Sequence, residues 1–333
     1  SAELEVVKSF KVHPETYALE LGVQLTNRSA RVAEQRLGVS LFGYQDPSAP
    51  TDRATFSYTP PPWEAGCYVG GELKTDSAKE LAAKPTQHVG DDLRWVGAMH
   101  KYFLFAAAPK PGAGEAYGCF ARGIAERPGL FESTLVFPAW KLNPGDTAVR
   151  TMMVYAGPKL LDHLEQVSGL QGGDSALSAS VDWGPRPMSW FVFLARPMLS
   201  LLKVFHSWVM NWGLAIILLT ITVKLLTLYW TNKSMRSMKG MSKLKPKLDE
   251  IRAKWPDDKQ RQNVEMMNLY KTHDINPLGG CLPMLLQMPV WMALYSTLGA
   301  AAELYQAPFV GWIHDLTAPD AFYVLPVAVT LLM

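Results

Sequence analysis

Three features are scarce or missing in this 333-residue chain, and each absence excludes a class of protein. Cysteine occurs only as Cys67, Cys119 and Cys281, too few for a disulfide scaffold and without zinc-ligand spacing. The formal net charge is only +2, which argues against a general nucleic-acid binder, so no DNA partner is expected. Lysine and arginine are absent from residue 276 to the end, where hydrophobic residues dominate.

Long uncharged segments in the second half of the chain predict a membrane protein. Residues 208–230 contain one charge, Lys224, and are long enough to cross a bilayer as a helix; the soluble alternative is a buried core helix. Aromatic side chains stand at both ends of this run, as they do at membrane interfaces. We predict transmembrane helices at 208–230 and 278–302, and the start of a third at 321–333. Because the third run is too short to span and no signal sequence precedes Ser1, we expect segments missing at both ends.

The distribution of charge orients these segments in the membrane. Residues 231–275 contain 11 Lys/Arg and 6 Asp/Glu, and short basic loops stay in the cytoplasm. The loop at 303–320 has acidic residues but no lysine or arginine, so it should face outward. Residues 1–185, with 17 Lys/Arg and 21 Asp/Glu, then form an outer domain.

The outer domain at 1–185 is predicted to be an all-β sandwich. Apolar residues alternate from Tyr17 to Leu25, and a strand is predicted at Thr147–Tyr155 after a turn sequence. Its histidines have no paired acid or nucleophile, so we predict no catalytic residues, no metal site and no cofactor. Cys67 and Cys119 would pair only in an oxidising compartment, and the sequence leaves their pairing open.

Residues 186–207 are predicted to form an amphipathic helix that leads into the first span. Polar residues recur at helical spacing on one face: Arg196, Ser200, Lys203 and Ser207. This pattern favours a helix in the lipid headgroup plane, and a core-facing helix of the outer domain is the alternative.

Lys224 is the residue for which the sequence supports the most specific functional hypothesis. An ionisable group inside a span usually faces protein or water, although this lysine could also extend to the cytoplasmic interface. Polar residues continue its face of the helix at spacings of three and four: Thr220, Thr227 and Thr231. We interpret this polar stripe as one wall of a hydrated groove, with Gln287 from the second run as a candidate neighbour.

Residues 231–275 are predicted to form a cytoplasmic helical hairpin. Apolar residues follow a spacing of three and four along its first helix: Met241, Leu244, Leu248, Ile251 and Trp255. Asp257 or Asp258 is expected to cap the second helix. The basic face is expected to attract anionic lipid, with a ribosomal contact as the weaker alternative.

Several motifs in this chain resemble those of the Oxa-type membrane-protein insertases, in particular their bacterial YidC branch. The first group comprises Asn211-Trp212-Gly213, Asp258-Lys259-Gln260-Arg261, Asn276–Pro283 and Gln287-Met288-Pro289. The second comprises Gln306-Ala307-Pro308-Phe309 and Trp312–Leu316. The likeness is strong from about residue 190 to the end, and weaker over the outer domain, which resembles the periplasmic sandwich of Gram-negative members.

The resemblance implies a non-enzymatic insertase and chaperone of the bacterial inner membrane. Nascent membrane proteins would enter a groove with one cation, with or without the Sec translocon and without nucleotide hydrolysis. By family position, Thr220, Gln287, Met288 and Trp291 would line that groove or contact substrate. The family usually has arginine where this chain has Lys224, which keeps the charge but loses the planar fork.

Three other classes of function stay open from the residues alone. One is an outer-facing carbohydrate enzyme, which would need paired carboxylates in a pocket. A solute transporter or channel would need further ionisable residues in the other spans, and 278–302 contains none. A sensor scaffold would bind a ligand on the outer domain, and its function would be lost when residues 1–185 were deleted.

Overall fold

Antiparallel strands make up most of the first 158 residues of the computed structural model. The structure describes residues 3–49, 62–110, 115–171, 173–184, 188–256, 258–273 and 282–332. The described chain divides into two compact units. The first consists of Ser1–Asp182, Ala300–Tyr305 and Ala318–Met333, and the second of Trp183–Gly299 and Gln306–Thr317.

Two sheets of the first unit face each other as a sandwich, which confirms the predicted fold class. The seven-stranded sheet has the order β1-β2-β13-β9-β8-β5-β6, and the four-stranded sheet has the order β4-β11-β10-β7. A small third sheet pairs β12 with β3. The strands are β1 Leu4–His13, β2 Ala18–Asn27, β3 Ala33–Gln35, β4 Gly38–Tyr44, β5 Glu64–Val69, β6 Glu72–Ser77, β7 Thr86–Gly90, β8 Trp95–Met99, β9 Phe103–Pro109, β10 Tyr117–Gly123, β11 Leu130–Val136, β12 Trp140–Leu142 and β13 Thr147–Pro158.

Alternation along the strands produces the core between the sheets. In β11, Phe131, Ser133 and Leu135 are buried while their neighbours are only half-buried, as expected for side chains on opposite faces of a strand. All five residues of β8 are buried, because this strand lies inside its sheet and is covered on both faces.

One detail of the predicted outer domain is wrong. Tyr17 is not part of the alternating strand, because its backbone is left-handed with φ 54° and its side chain is exposed. The domain also contains two helices, α1 Ala78–Ala83 and α2 Leu161–Gln171. A capping box between Ser77 and Glu80 begins α1, and its short length hides it from a periodicity search.

A buried lysine binds the segment that follows the last strand of the β-domain. Lys159 follows β13, is 2 % exposed, and donates a hydrogen bond of 2.6 Å from Nζ to the Ser180 carbonyl. Burial lowers the pKa of its ammonium from 10.5 to about 7, and the carboxylates of Asp182 and Glu64 partly oppose this shift. The Trp95 indole donates to the Ala176 carbonyl at 3.0 Å in the same segment.

Helices make up the second unit and the end of the chain. They are α3 Val192–Val209, α4 Trp212–Lys254, α5 Lys259–Thr272, α6 Leu282–Ala300 and α7 Val324–Leu332. Within the described residues, one helical stretch is long and apolar enough to cross a membrane: Trp212–Asn232, 21 residues with a mean hydropathy of 1.9. The predicted membrane boundaries remain predictions.

The helices begin and end at other residues than the predicted segments. The span predicted from residue 208 begins at Trp212, because Trp208 and Val209 still belong to α3 and Met210 ends that helix with a left-handed backbone. The first hairpin helix is not separate, since α4 continues through the predicted boundary at residue 230. The first two residues of the predicted helix at 186–207 and residues 278–281 of the second span lie outside the described part of the chain.

Candidate functional site

A cavity of about 660 Å³ lies between α4 and α6 in the second unit. Its walls come from one face of each helix, and the lining residues are Lys224, Thr227, Leu228, Thr231, Gln287, Met288 and Trp291. Lys224 is the only charged side chain in this lining, as far as the described residues show. No described carboxylate forms an ion pair with it. The cavity therefore combines one cation with largely apolar walls.

The structure brings together most of the groove residues that the sequence predicts. Lys224, Thr227, Gln287, Met288 and Trp291 line the cavity, whereas Thr220 does not. Leu228 and Thr231 line it as well; Thr231 belongs to the predicted polar stripe, whereas Leu228 is an addition from the structure. They lie four and seven positions after Lys224, on the same helical face, so helical spacing carried this signal. Contact of these residues with a substrate remains a prediction.

The threonine hydroxyls of α4 are committed to the backbone of their own helix. Thr227 donates to the Val223 carbonyl at 2.9 Å, and Thr231 to the Thr227 carbonyl at 2.9 Å. Thr220 donates to the Ile216 carbonyl at 2.8 Å. The hydroxyls of Thr227 and Thr231 therefore offer the cavity oxygen lone pairs and no free O–H donor. The lining side chains that can donate a hydrogen bond to a guest are the Lys224 ammonium, the Gln287 amide and the Trp291 indole, and such donors suit carboxylate and carbonyl oxygens.

Helix α3 packs against the helices that form the cavity. Ala195 and Ala293 are completely buried and let α3 and α6 approach closely, and Val223 of α4 packs against the same cluster. The Thr297 hydroxyl lies 3.1 Å from the Ala195 carbonyl of α3 and 2.7 Å from the Ala293 carbonyl. The apolar stripe of α3 thus packs against other residues of the second unit. Its location in the headgroup plane stays a prediction.

The start of α4 is joined to the segment at 306–317. Asn211 caps α4, because its Oδ1 accepts from the Leu214 N–H at 3.1 Å. Its Nδ2 donates to the Phe309 carbonyl at 3.1 Å, and a Cβ on Gly213 would collide with the Phe309 ring. The rings of His206 and Trp212 stack with centroids 3.8 Å apart. The motif residues Asn211, Gly213 and Phe309 therefore act together as one joint.

We expect Asn211→Ala to weaken this joint by about 1–2 kcal/mol, because the helix loses its cap and Phe309 loses a donor. Asn211→Ser keeps a capping oxygen but lacks the second donor, so it should lose about half as much. Thermal unfolding of the detergent-solubilised chain measures both variants. If Asn211→Ala and the parent protein unfold at the same temperature, the hydrogen bonds of Asn211 do not contribute to stability.

The turn of the cytoplasmic hairpin is held by Trp255. The Arg261 guanidinium stacks on its ring at 4.2 Å, and the Gln262 side-chain amide donates to its carbonyl at 2.6 Å. Asp258 is the cap of α5, since its Oδ1 accepts from the Arg261 N–H at 2.9 Å. Asp257, the other candidate cap, lies outside the described residues.

The predicted apolar seam of the hairpin is only partly buried in the structure. Leu244 and Leu248 are 5 % and 8 % exposed, whereas Ile251 and Trp255 are half-buried. The side chain of Met241 and the motif at 276–281 lie outside what the structure describes. On α5, Val264 and Met267 are exposed, so this helix presents apolar surface that no described part of the chain covers.

The described residues contain no group of three or more His, Cys, Asp or Glu side chains arranged to hold a metal ion. The described part of the chain therefore offers a binding cavity with one cation. The chemistry that such a cavity supports is reversible binding of polar, oxygen-rich groups.

Two family models match consecutive parts of this chain. The model described as YidC periplasmic domain matches residues 1–201, and the model described as 60Kd inner membrane protein matches residues 204–333. Among curated proteins named membrane protein insertase YidC, that of Syntrophobacter fumaroxidans is 36% identical over 318 residues, 96% of this chain and 54% of the relative. That of Geobacter sulfurreducens is 36% identical over 98% of this chain and 57% of the relative. That of Magnetococcus marinus is 40% identical over 78% and 44%, so the chain spans about half the length of these relatives.

Proposed function

Because the chain belongs to the YidC family of membrane protein insertases, we propose that it inserts newly made proteins into the inner membrane and assists their folding. Its β-domain is periplasmic, and its helical part belongs to the inner membrane. The polar tail of a substrate enters the cavity at Lys224 while the apolar segment of the substrate moves into lipid.

The cavity between α4 and α6 is the observation that carries this proposal. A polar tail that crosses the bilayer would leave its carbonyl and carboxylate oxygens without hydrogen bonds, at a cost of several kcal/mol each. The Lys224 ammonium and the Gln287 amide supply donors inside the membrane-embedded region. The cavity thus lowers the free-energy cost of moving the polar tail across the bilayer, and it binds the tail only transiently.

Apolar surface beside the cavity supports the second half of the proposal. Only 17% of the span in α4 is buried, and Trp291 and Tyr295 of α6 are largely exposed. These surfaces suit either lipid or the apolar segment of a substrate. Transfer of that segment into lipid yields about 25 cal/mol per Å² of buried apolar surface, so no nucleotide hydrolysis is required and the chain acts without catalysis.

The partners follow from this role. Nascent membrane proteins are the substrates, and the basic hairpin attracts anionic lipid. The Sec translocon is a partner implied by the family resemblance, and the ribosome is the weaker alternative partner for the basic face of the hairpin. Co-purification of each with the detergent-solubilised protein, at two salt concentrations, tests them separately.

Site-specific photocrosslinking tests the proposed path of the substrate. A photoreactive residue at Gln287 keeps the cation in place and should crosslink to the polar tail of a stalled nascent membrane protein. The matched control is Ile221 of α4, which is exposed but does not line the cavity. Crosslinking of the polar tail at Ile221 but not at Gln287, or of lipid alone at both positions, would contradict the proposal.

A further inference from the structure

Two cysteines from opposite sheets of the β-domain meet in its core. Cys67 lies on β5 of the seven-stranded sheet, where it faces Lys74 and Val96 on the neighbouring strands. Cys119 lies on β10 of the four-stranded sheet, opposite Leu135 of β11. The two side chains are 4 % and 2 % exposed and belong to one hydrophobic cluster.

The two thiols are neighbours in this cluster, and Cys67 is the main cause that raises the pKa of the Cys119 thiol. A disulfide needs Cβ atoms about 4 Å apart, and the packing of both side chains into one core cluster is compatible with that spacing. In the structure both cysteines are free thiols.

We propose that Cys67 and Cys119 form a disulfide that ties the two sheets of the periplasmic domain together. The bacterial periplasm is an oxidising compartment in which such bonds form and persist. In the reaction, the thiolate of one cysteine attacks an oxidised dithiol protein of the periplasm, and the second thiolate displaces that protein from the mixed disulfide. One S–S bond forms in the domain and the S–S bond of the oxidant breaks, so the oxidant takes up two electrons and the two thiol protons and becomes a dithiol.

Oxidation has to occur before the sandwich is closed. The neighbouring Cys67, burial, and the charge of Asp76 all raise the pKa of the Cys119 thiol, so the folded domain holds almost no thiolate there. Thiolate is the reacting species, and no oxidant reaches side chains that are this deeply buried. The bond therefore forms while the exported chain folds, and the closed core then protects it.

The disulfide is expected to stabilise the domain because it closes a long loop of chain, which lowers the entropy of the unfolded state. It links strands of different sheets that are far apart in sequence, so it restricts the unfolded chain strongly. We expect the oxidised β-domain to unfold roughly 5–15 °C above the reduced one.

Counting thiols in the whole protein tests the bond. The protein is extracted from the membrane after acid trapping, unfolded, alkylated with N-ethylmaleimide with or without prior reduction, and weighed by mass spectrometry. Its three cysteines should give one adduct without reduction, at Cys281, and three after reduction. Three adducts in both samples would overturn the proposal.

Two variants assign the bond. In Cys281→Ser, alkylation should add nothing without reduction and two adducts after it. In Cys67→Ala, Cys119 loses its partner, so two adducts should appear under both conditions. A non-reducing digest should contain the peptides of Cys67 and Cys119 linked together, and a link from either residue to Cys281 would refute the assignment. The insertase proposal is unaffected by any of these outcomes.

Discussion

Lys224→Glu is expected to lower the insertion of substrates with acidic periplasmic tails about tenfold, which corresponds to about 1.4 kcal/mol in the transit barrier. The charge reversal places a carboxylate in a cavity that otherwise contains no charged side chain among its described lining residues. Opposite charges near a protein surface attract by about 4 kcal/mol at 4 Å, and the same separation repels like charges equally. Insertion into inverted membrane vesicles, scored by protease protection, measures the effect.

The control for this reversal is Lys259→Glu, which changes the same charge at an exposed position at the start of α5. It should leave insertion nearly unchanged. Lys224→Arg should retain most of the activity, since the charge is kept. If Lys224→Glu inserts acidic-tailed substrates at the rate of the Lys259→Glu control, the lysine reaches the membrane interface and the attraction hypothesis fails.

The stability of the β-domain is expected to rise by about 2 kcal/mol between pH 7 and pH 9, owing to Lys159. Burial lowers the pKa of this lysine to about 7 in the folded domain, against an ordinary value of 10.5. Between these two values the unfolded chain binds more protons than the folded one, so stability increases with pH. The gain is absent below pH 7 and complete above the unfolded pKa. Pulse proteolysis in urea at each pH measures the free energy of unfolding of the β-domain.

Lys159→Met should abolish this pH dependence, because the variant has no proton to lose. The matched control is Lys141→Met on β12, where the lysine is exposed and its removal should leave the pH dependence intact. The Asp182 carboxylate favours the charged lysine, so Asp182→Asn should move the transition to lower pH. A parent protein whose stability is level from pH 7 to pH 9 would show that Lys159 stays charged in the folded domain over this range.

Local chemistry explains which parts of the fold were predictable. Alternation in the strand that follows Tyr17, and the turn before Thr147, involve neighbours in sequence, so a short window reveals them. The prediction that Tyr17 belongs to this strand was wrong, because the sequence does not distinguish a residue with a left-handed backbone from a strand residue. The joint at Asn211 and Phe309 was visible as two separate motifs, but their hydrogen bond connects residues that are far apart in the chain.

The candidate site was predictable where it depends on the spacing of residues within one helix. Lys224, Thr227 and Thr231 share a helical face, which spacing alone indicates. Thr220 shares that spacing too, yet it is not among the residues that line the cavity.

The sequence by itself determined the all-β outer domain, the apolar span, the basic hairpin and the family motifs, because each depends on composition or periodicity within a short stretch of chain. Only the tertiary structure decided that Gln287 lines a cavity with Lys224, that Lys159 is buried against the Ser180 carbonyl, and that Cys67 and Cys119 are neighbours in one core cluster. These arrangements join residues distant in sequence, and they exist only once sheets and helices have packed. The burial and the partners that set their charge and reactivity are properties of that packing.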